Sequence, residues 1–305
     1  KVRAGANVGD APTVETMPAK SYPVVRVAAL TVAADTGAVA SAGRGGRGGG
    51  RGGRGRLSVH NDTGTAVVIV RGEIPVGDSA TLSIAQHDPD AAYVAALAEA
   101  LRARGIAVAR QPASAWNDEH SDSLFTMLSP PLSDILPVIL KPSQNQIAEV
   151  FLRTIGLEGT GVGTADSGRR VIERQFADWK IPPDGFVVRD GSGLSRSDLI
   201  SPEAIVDILD VMRRSPNFKL FYESLPIAGV DGTIGTRMRG TPAEGNVHAK
   251  TGTLQMVRSL SGYVNSADGR LLEFSMLCNN WTVPQAEVDH VADTIAVWLA
   301  QMRVH

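Results

Sequence analysis

The chain has 305 residues, of which 43% are hydrophobic and 20% charged, with a formal net charge of −2. This is an ordinary globular composition, long enough for one large domain or two modest ones. No run approaches the roughly 18 apolar residues that a membrane-crossing helix needs. A single cysteine, Cys278, excludes an intramolecular disulfide framework. The six histidines lie without ligand spacing, so a zinc site is not expected. The first residue is Lys and no leader-like segment precedes the fold. The expectation is either a removed leader or a record that starts inside a longer protein.

In chain order, the first 118 or so residues read as a β-rich unit with one helix. The segments 24–34, 56–62 and 65–74 are β-branched runs broken by Gly, Asn and Asp. Between the first two lies RGGRGGGRGGRGR, residues 44–56, with five Arg and no acid. Without it, 25 basic residues face 32 acidic ones, so the body of the protein is acidic. An RGG tract can contact a polyanion, but no aromatic and no second basic patch accompanies it. The reading adopted is a disordered, solvated loop where a hairpin loop would lie. A helix follows, with Asp88 as N-cap, Pro89 as first residue, Val94, Leu97 and Leu101 at helical spacing, and Gly105 as terminator.

The polar stretch 113–123 marks a boundary, giving domains 1–118 and 119–305. Helices are predicted on both sides of Pro142, the second with Ile147, Ala148, Phe151 and Ile155 on its apolar face. Further helices are predicted over DSGRRVIERQFADW and after Ser201-Pro202. From 247 the period changes to strands, with Asp268-Gly269 as a hairpin turn. A last helix carries Val288, Val291, Ile295 and Leu299. The fold class is therefore α+β, helices plus an antiparallel sheet, preceded by a β-rich domain.

Three short segments carry chemistry. The strand Lys250-Thr251-Gly252-Thr253 offers a fixed positive charge, hydroxyl donors and a Gly against which another backbone can lie. That describes a docking edge for an extended peptide ending in an acid group. A surface strand with a solvated lysine fits the same residues. A phosphate-binding loop does not, since it requires Gly where Glu244 and Ala249 stand. Ser143-Gln144-Asn145 sits at a helix start, where Ser143 can cap the helix or relay a proton, and Asn145 can grip a peptide bond. Asp190-Gly-Ser-Gly-Leu-Ser-Arg196 is not the G-x-S-x-G nucleophile elbow and reads as a Gly-framed structural turn.

Five blocks in order, KPSQNQIAEVFLRTIG, RDGSGLSRSDLISP, LPIAGVDGTIGTR, AKTGTLQMVRSLSGYV and LEFSMLCNN, resemble one family. It is the D-alanyl-D-alanine carboxypeptidase/endopeptidase family, the class C low-molecular-mass penicillin-binding proteins or peptidase family S13. The resemblance is strong over 125–300 and looser over 1–118, which resembles the domain these enzymes insert in their catalytic domain. It implies a penicillin-binding-protein/β-lactamase-like transpeptidase fold, with 119–305 as the C-terminal part of the catalytic domain. It also implies a serine-type peptidase acting on peptidoglycan stem peptides outside the cytoplasm, in periplasm or cell wall. β-Lactam antibiotics would be covalent ligands, and no nucleic acid, cofactor or metal is implied.

The family works with S-x-x-K, S-x-N and K-T-G. Carried over, Ser143 and Asn145 match the second motif, and Lys250, Thr251 and Gly252 the third. Ser143 would pass a proton to the leaving D-alanine, and Asn145 would hold a substrate amide and the motif-one lysine. Lys250 would keep the site positive, Thr251 and Thr253 would bind the terminal carboxylate, and the Thr253 N–H would form half of the oxyanion hole. Relatives often carry Asn where Asp198 stands, a position read as structural. No serine in the chain has Lys three residues on, and the nearest pair is Ser215 with Lys219. The chain is therefore expected to lack the nucleophile-bearing segment and to be inactive alone, with an open sheet edge and uncovered apolar surface. A non-catalytic peptidoglycan-binding relative, a polyanion-binding protein using the Arg/Gly run, and a serine β-lactamase are the rival readings. In a protein that also carries the nucleophile-bearing segment, deleting 44–56 should leave activity intact; a large loss overturns the loop reading.

Overall fold

The computed structural model describes residues 1–17, 24–34, 57–62, 67–85, 88–108 and 125–303. They form two compact units, Lys1–Ser123 and Leu124–His305. The Arg/Gly run and the polar stretch 113–123 lie outside the described residues.

In the first unit the β-branched runs become β3 (Val24–Val32), β4 (Leu57–Asn61) and β5 (Val67–Pro75). Their order is β3-β5-β4, with β3 parallel and β4 antiparallel to β5. The hairpin expected between β3 and β4 does not form, because β5 lies between them. The physical reason is burial. β5 carries three buried large apolar residues, Val68, Val70 and Ile74, against the smaller Ala29 and Thr31 of β3 and none of β4, so β5 takes the centre. A second small sheet joins β1 (Val2–Arg3), β2 (Thr13–Val14) and β6 (Ser79–Ala80), and Val2 packs with Ala29, Val70 and Ile74. Helix α1 (Pro89–Ala103) starts as its caps dictate: Asp88 Oδ1 accepts the Ala91 N–H at 2.9 Å. Gly105, at φ +79°, follows its end. Its apolar stripe is less used than expected, since Val94 and Leu97 are exposed and Ala98 is its buried residue.

In the second unit, α2 (Leu132–Leu140) and α3 (Asn145–Thr160) flank Pro142. Helix α4 (Ala165–Asp178), the short strands β7 (Phe186–Val187) and β8 (Leu199–Ile200), α5 (Pro202–Arg213) and α6 (Phe218–Ser224) follow. The antiparallel sheet is β9 (His248–Leu254), β10 (Val257–Asn265) and β11 (Leu271–Asn279), and α7 (Gln285–Gln301) closes the unit. Period-two alternation gives this sheet two buried faces. Ala249, Leu260, Val264 and Phe274 join Ala296 and Ala300 of α7 in one core. Tyr263 faces Leu209, Leu225 and Phe218 in another, and its hydroxyl donates to Leu209 O at 2.7 Å.

Two helices use part of the expected apolar stripe and complete it with small residues. In α7, Val288 is buried and Leu299 packs on the core as expected, but Val291 is exposed and the alanines 296 and 300 face the sheet. In α3, Ile155 is exposed, while Leu152 and Gly156 are buried. Small residues win because the partners approach closely. A Cβ on Gly168 of α4 would stand 2.0 Å from Leu152 O, and one on Gly156 would stand 2.7 Å from Gly168 N. Gly168→Ala should therefore push α3 and α4 apart and cost about 1–3 kcal/mol. A urea midpoint equal to wild type, with unchanged slope, would contradict this.

Candidate active site

Strand β9 is the edge strand of its sheet. Its first half is covered by the preceding segment: Ala249 donates its N–H to Pro226 O at 2.9 Å, and His248 bridges Ile227. Beyond Ala249 no strand of the described residues pairs with its outer edge, the one away from β10. The period of two that sends the Ala249 N–H outward also sends the N–H groups of Thr251 and Thr253 to the open edge.

The turn between α2 and α3 stands beside that edge. Ser143 occupies the left-handed region at φ +63°, which costs a residue with a Cβ about 1–3 kcal/mol. It does not cap α3. Gln144 is the N-cap, and no side chain caps the helix. Instead, Ser143 Oγ accepts from Lys250 Nζ at 2.8 Å, and the same ammonium donates to Thr251 O at 2.6 Å. Asn145, the first helical residue, is exposed. Thr251 Oγ1 donates to Thr233 Oγ1 at 2.8 Å, while Thr253 is exposed at the far end of the strand. A Cβ on Gly252 would lie 2.3 Å from Ser259 Oγ, so the glycine makes room for a hydroxyl of β10.

The strained turn has a support that motif reading passed over. Lys141 Nζ reaches Asp231 Oδ2 at 2.7 Å and Leu225 O at 2.9 Å, and Asp231 Oδ1 accepts the Ile227 N–H at 3.0 Å. Gly232, at φ +62°, lets this segment pass so close that a Cβ would be 2.9 Å from Lys141 O. Both Lys141 and Asp231 lie inside the blocks KPSQN and VDGTIG, one residue from more conspicuous neighbours. Nearby, His248 stacks on Tyr222 with ring centroids 3.9 Å apart, and burial holds its imidazole below the usual range.

The Asp190–Arg196 loop docks on α3. Glu149 Oε1 accepts from Gly191 N at 3.0 Å, Ser192 N at 3.1 Å and Ser192 Oγ at 2.9 Å. A Cβ on Gly191 would stand 2.4 Å from Ala148 O, which explains the glycine. Arg196 at the loop's end donates to Gln255 O at 3.1 Å, in the turn after β9. Partial burial works to raise the Glu149 carboxyl, but the Ser192, Arg153 and Gly191 hydrogen bonds outweigh it and hold the group low. In Asp190 the same opposition, with the Gly193 and Ser195 amides, also ends low. Asp198 goes the other way: burial and the neighbouring Asp190 carboxylate raise it, and its Oδ2 is enclosed without a hydrogen-bond partner.

These elements match a known family. The model of the D-Ala-D-Ala carboxypeptidase 3 (S13) family aligns with residues 26–302. The chain belongs to this family. It is 36% identical over 261 residues to the D-alanyl-D-alanine carboxypeptidase of Actinomadura sp. (strain R39), covering 82% of this chain and 47% of that protein. It is 30% identical over 214 residues to the D-alanyl-D-alanine carboxypeptidase DacB of Haemophilus influenzae, covering 68% of this chain and 44% of the relative. The S13 chain thus spans about half the length of the curated relatives it matches. The crystal structure of penicillin binding protein 4 (dacB) from Haemophilus influenzae, complexed with a β-lactam, superposes with a TM-score of 0.75 at 25% identity. That match covers 99% of this chain and 67% of the other, and the α+β fold is of the penicillin-binding-protein type.

The Asp190–Asp198 contact yields a pH-dependent expectation. A carboxyl whose folded pKa is raised stabilises the fold at low pH and loses that contribution as pH rises through the folded value. Asp198→Asn keeps the acceptor for the Arg189 N–H and removes the charge facing Asp190. It should raise the melting temperature at pH 7 and raise it less at pH 4. A gain larger at pH 4 than at pH 7 would rule out the charge explanation.

Proposed function

We propose that this chain supplies part of a serine-type D-Ala-D-Ala carboxypeptidase/endopeptidase site acting on peptidoglycan stem peptides outside the cytoplasm. The second unit is the C-terminal part of the catalytic domain, and the first is the domain inserted in it. The observation that carries the reading is the 2.8 Å contact of Lys250 Nζ with Ser143 Oγ beside the open half of β9. A strained serine, a lysine and an uncovered strand edge form one wall of an acyl-transfer site.

In the proposed reaction, a serine within an S-x-x-K segment attacks the carbonyl of the penultimate D-alanine, and the C–N bond to the terminal D-alanine breaks. Ser143 passes a proton to the departing amine, and Lys250 offsets negative charge at Ser143 as that proton moves. Asn145 holds a substrate amide. The Thr253 N–H donates to the developing oxyanion, and the Thr251 and Thr253 hydroxyls take the terminal carboxylate. Water then hydrolyses the ester and returns a proton to the serine. Penicillins would acylate the same serine.

No serine of these 305 residues has Lys three positions on. The chain alone should therefore form no covalent adduct with fluorescent penicillin, and a labelled band that survives denaturation would refute this. In a protein that also carries an upstream S-x-x-K segment, labelling should appear, and Lys250→Ala should abolish it. Unchanged labelling of that variant removes Lys250 from the site. The missing motif also favours a second reading, a non-catalytic relative that binds peptidoglycan through β9; it predicts that no upstream S-x-x-K exists.

A further inference from the structure

Behind the open half of β9 runs a row of alternating charges. Arg258 of β10 stands directly across from Thr253. Its Nη1 donates to Thr253 Oγ1, and its Nη2 pairs with Asp289 Oδ2 of α7 at 3.4 Å. Asp289 is steadied by Arg237, whose Nη1 lies 4.0 Å from its carboxylate and whose Nη2 donates to its carbonyl at 3.3 Å. Arg237 in turn is gripped by Asp293 through Nε at 2.9 Å and Nη2 at 2.7 Å. Two arginines and two aspartates balance in charge. The Arg258 side chain is 15% exposed, whereas Thr253 is open to solvent.

A guanidinium has donors only. In the Arg258–Thr253 bond the threonine oxygen must be the acceptor, so the hydroxyl proton points away from Arg258. Arg258 thus converts a hydroxyl that could donate or accept into one held to donate. A structural tie between β10 and α7 would need only the Asp289 contact. The stronger tie of Asp293 goes to Arg237, while Arg258 makes a long bond to Asp289 and also donates into the strand opposite.

We propose that Arg258 is a positioning residue that makes this site select peptides with a free terminal carboxylate. It fixes Thr253 Oγ1 as a donor and places a shielded positive charge behind it. This rests on the reading of β9 as the docking strand. The ligand class is an extended peptide ending in a carboxylate, as opposed to the same peptide with its end amidated.

The test titrates acetyl-D-Ala-D-Ala and its C-terminal amide into the 305-residue chain, following amide chemical shifts. Wild type should bind the carboxylate form about tenfold more tightly, in keeping with a charge-assisted hydrogen bond. Arg258→Gln should lose that preference while leaving affinity for the amide unchanged, and Arg258→Lys should recover part of it. Thr253→Val should reproduce the Arg258→Gln loss, and the double variant should lose little more, because the two act as one unit. A preference retained in Arg258→Gln, or an equal loss for both peptides, overturns the proposal while sparing the docking strand. If wild type binds neither peptide, the docking-strand reading fails, and this proposal fails with it. Should Arg258→Gln not fold, Arg258→Lys and Thr253→Val decide the matter by the same criterion.

Discussion

The Lys250 ammonium lies between the Ser143 hydroxyl and the Thr251 carbonyl, and it joins the sheet to the turn between α2 and α3. Ser143 is left-handed, a conformation its own side chain disfavours by about 1–3 kcal/mol. Something outside the turn must hold it. The Lys141–Asp231 pair does so from below, and Gly232 removes the Cβ that would push the turn upward. Lys141 and Asp231 are 24% and 36% exposed, so their charge attraction is screened and contributes little to stability, roughly 1 kcal/mol or less. Their value is positional: Lys141 also donates to Leu225 O and Asp231 accepts from Ile227, so four groups lock one geometry.

An edge strand is a liability unless it is covered, charged or used. β9 shows the first two along seven residues, and the proposed docking of a peptide would supply the third. Its start is covered by residues 226–228, its middle carries Lys250, and its end offers hydroxyls and outward amides. The covered half is buried and apolar around Ala249, which anchors the strand in the core shared with α7. The open half therefore continues from an anchored strand. A peptide laid against it meets amides already fixed in direction, which reduces the ordering cost of binding.

Much of this was legible in the residues. Asp88 and Ser201 each cap the helix that begins after them, and strand runs rich in Val and Leu pair. The ordered blocks also allowed Ser143, Asn145 and Lys250 to be named together, though they are far apart in sequence. What stayed hidden depends on tertiary contact. No local pattern says that β5 separates β3 from β4, since that depends on which strand pairs through both its edges. Nothing in a lone serine announces φ +63°, and the capping reading of Ser143 was natural because the residue does precede a helix. Ile155 of α3 and Val291 of α7 are exposed where the periodicity puts them inside, for one shared reason. Large apolar residues dominate a periodicity count, while close approach selects Gly and Ala.

That preference for alanine on α7 bears on the site itself. Ala296 and Ala300 face the sheet in the same core as Leu260 and Val264 of β10. Larger residues there would set the helix further from β10. Asp289, more than a turn earlier on the same helix, already reaches Arg258 at 3.4 Å. A displacement of an ångström or more would break that pair and leave the Arg258 guanidinium without its α7 anchor. The small side chains that deepen the core thus also fix the charge behind Thr253, so the packing of α7 and the chemistry of the open strand edge are set by one distance.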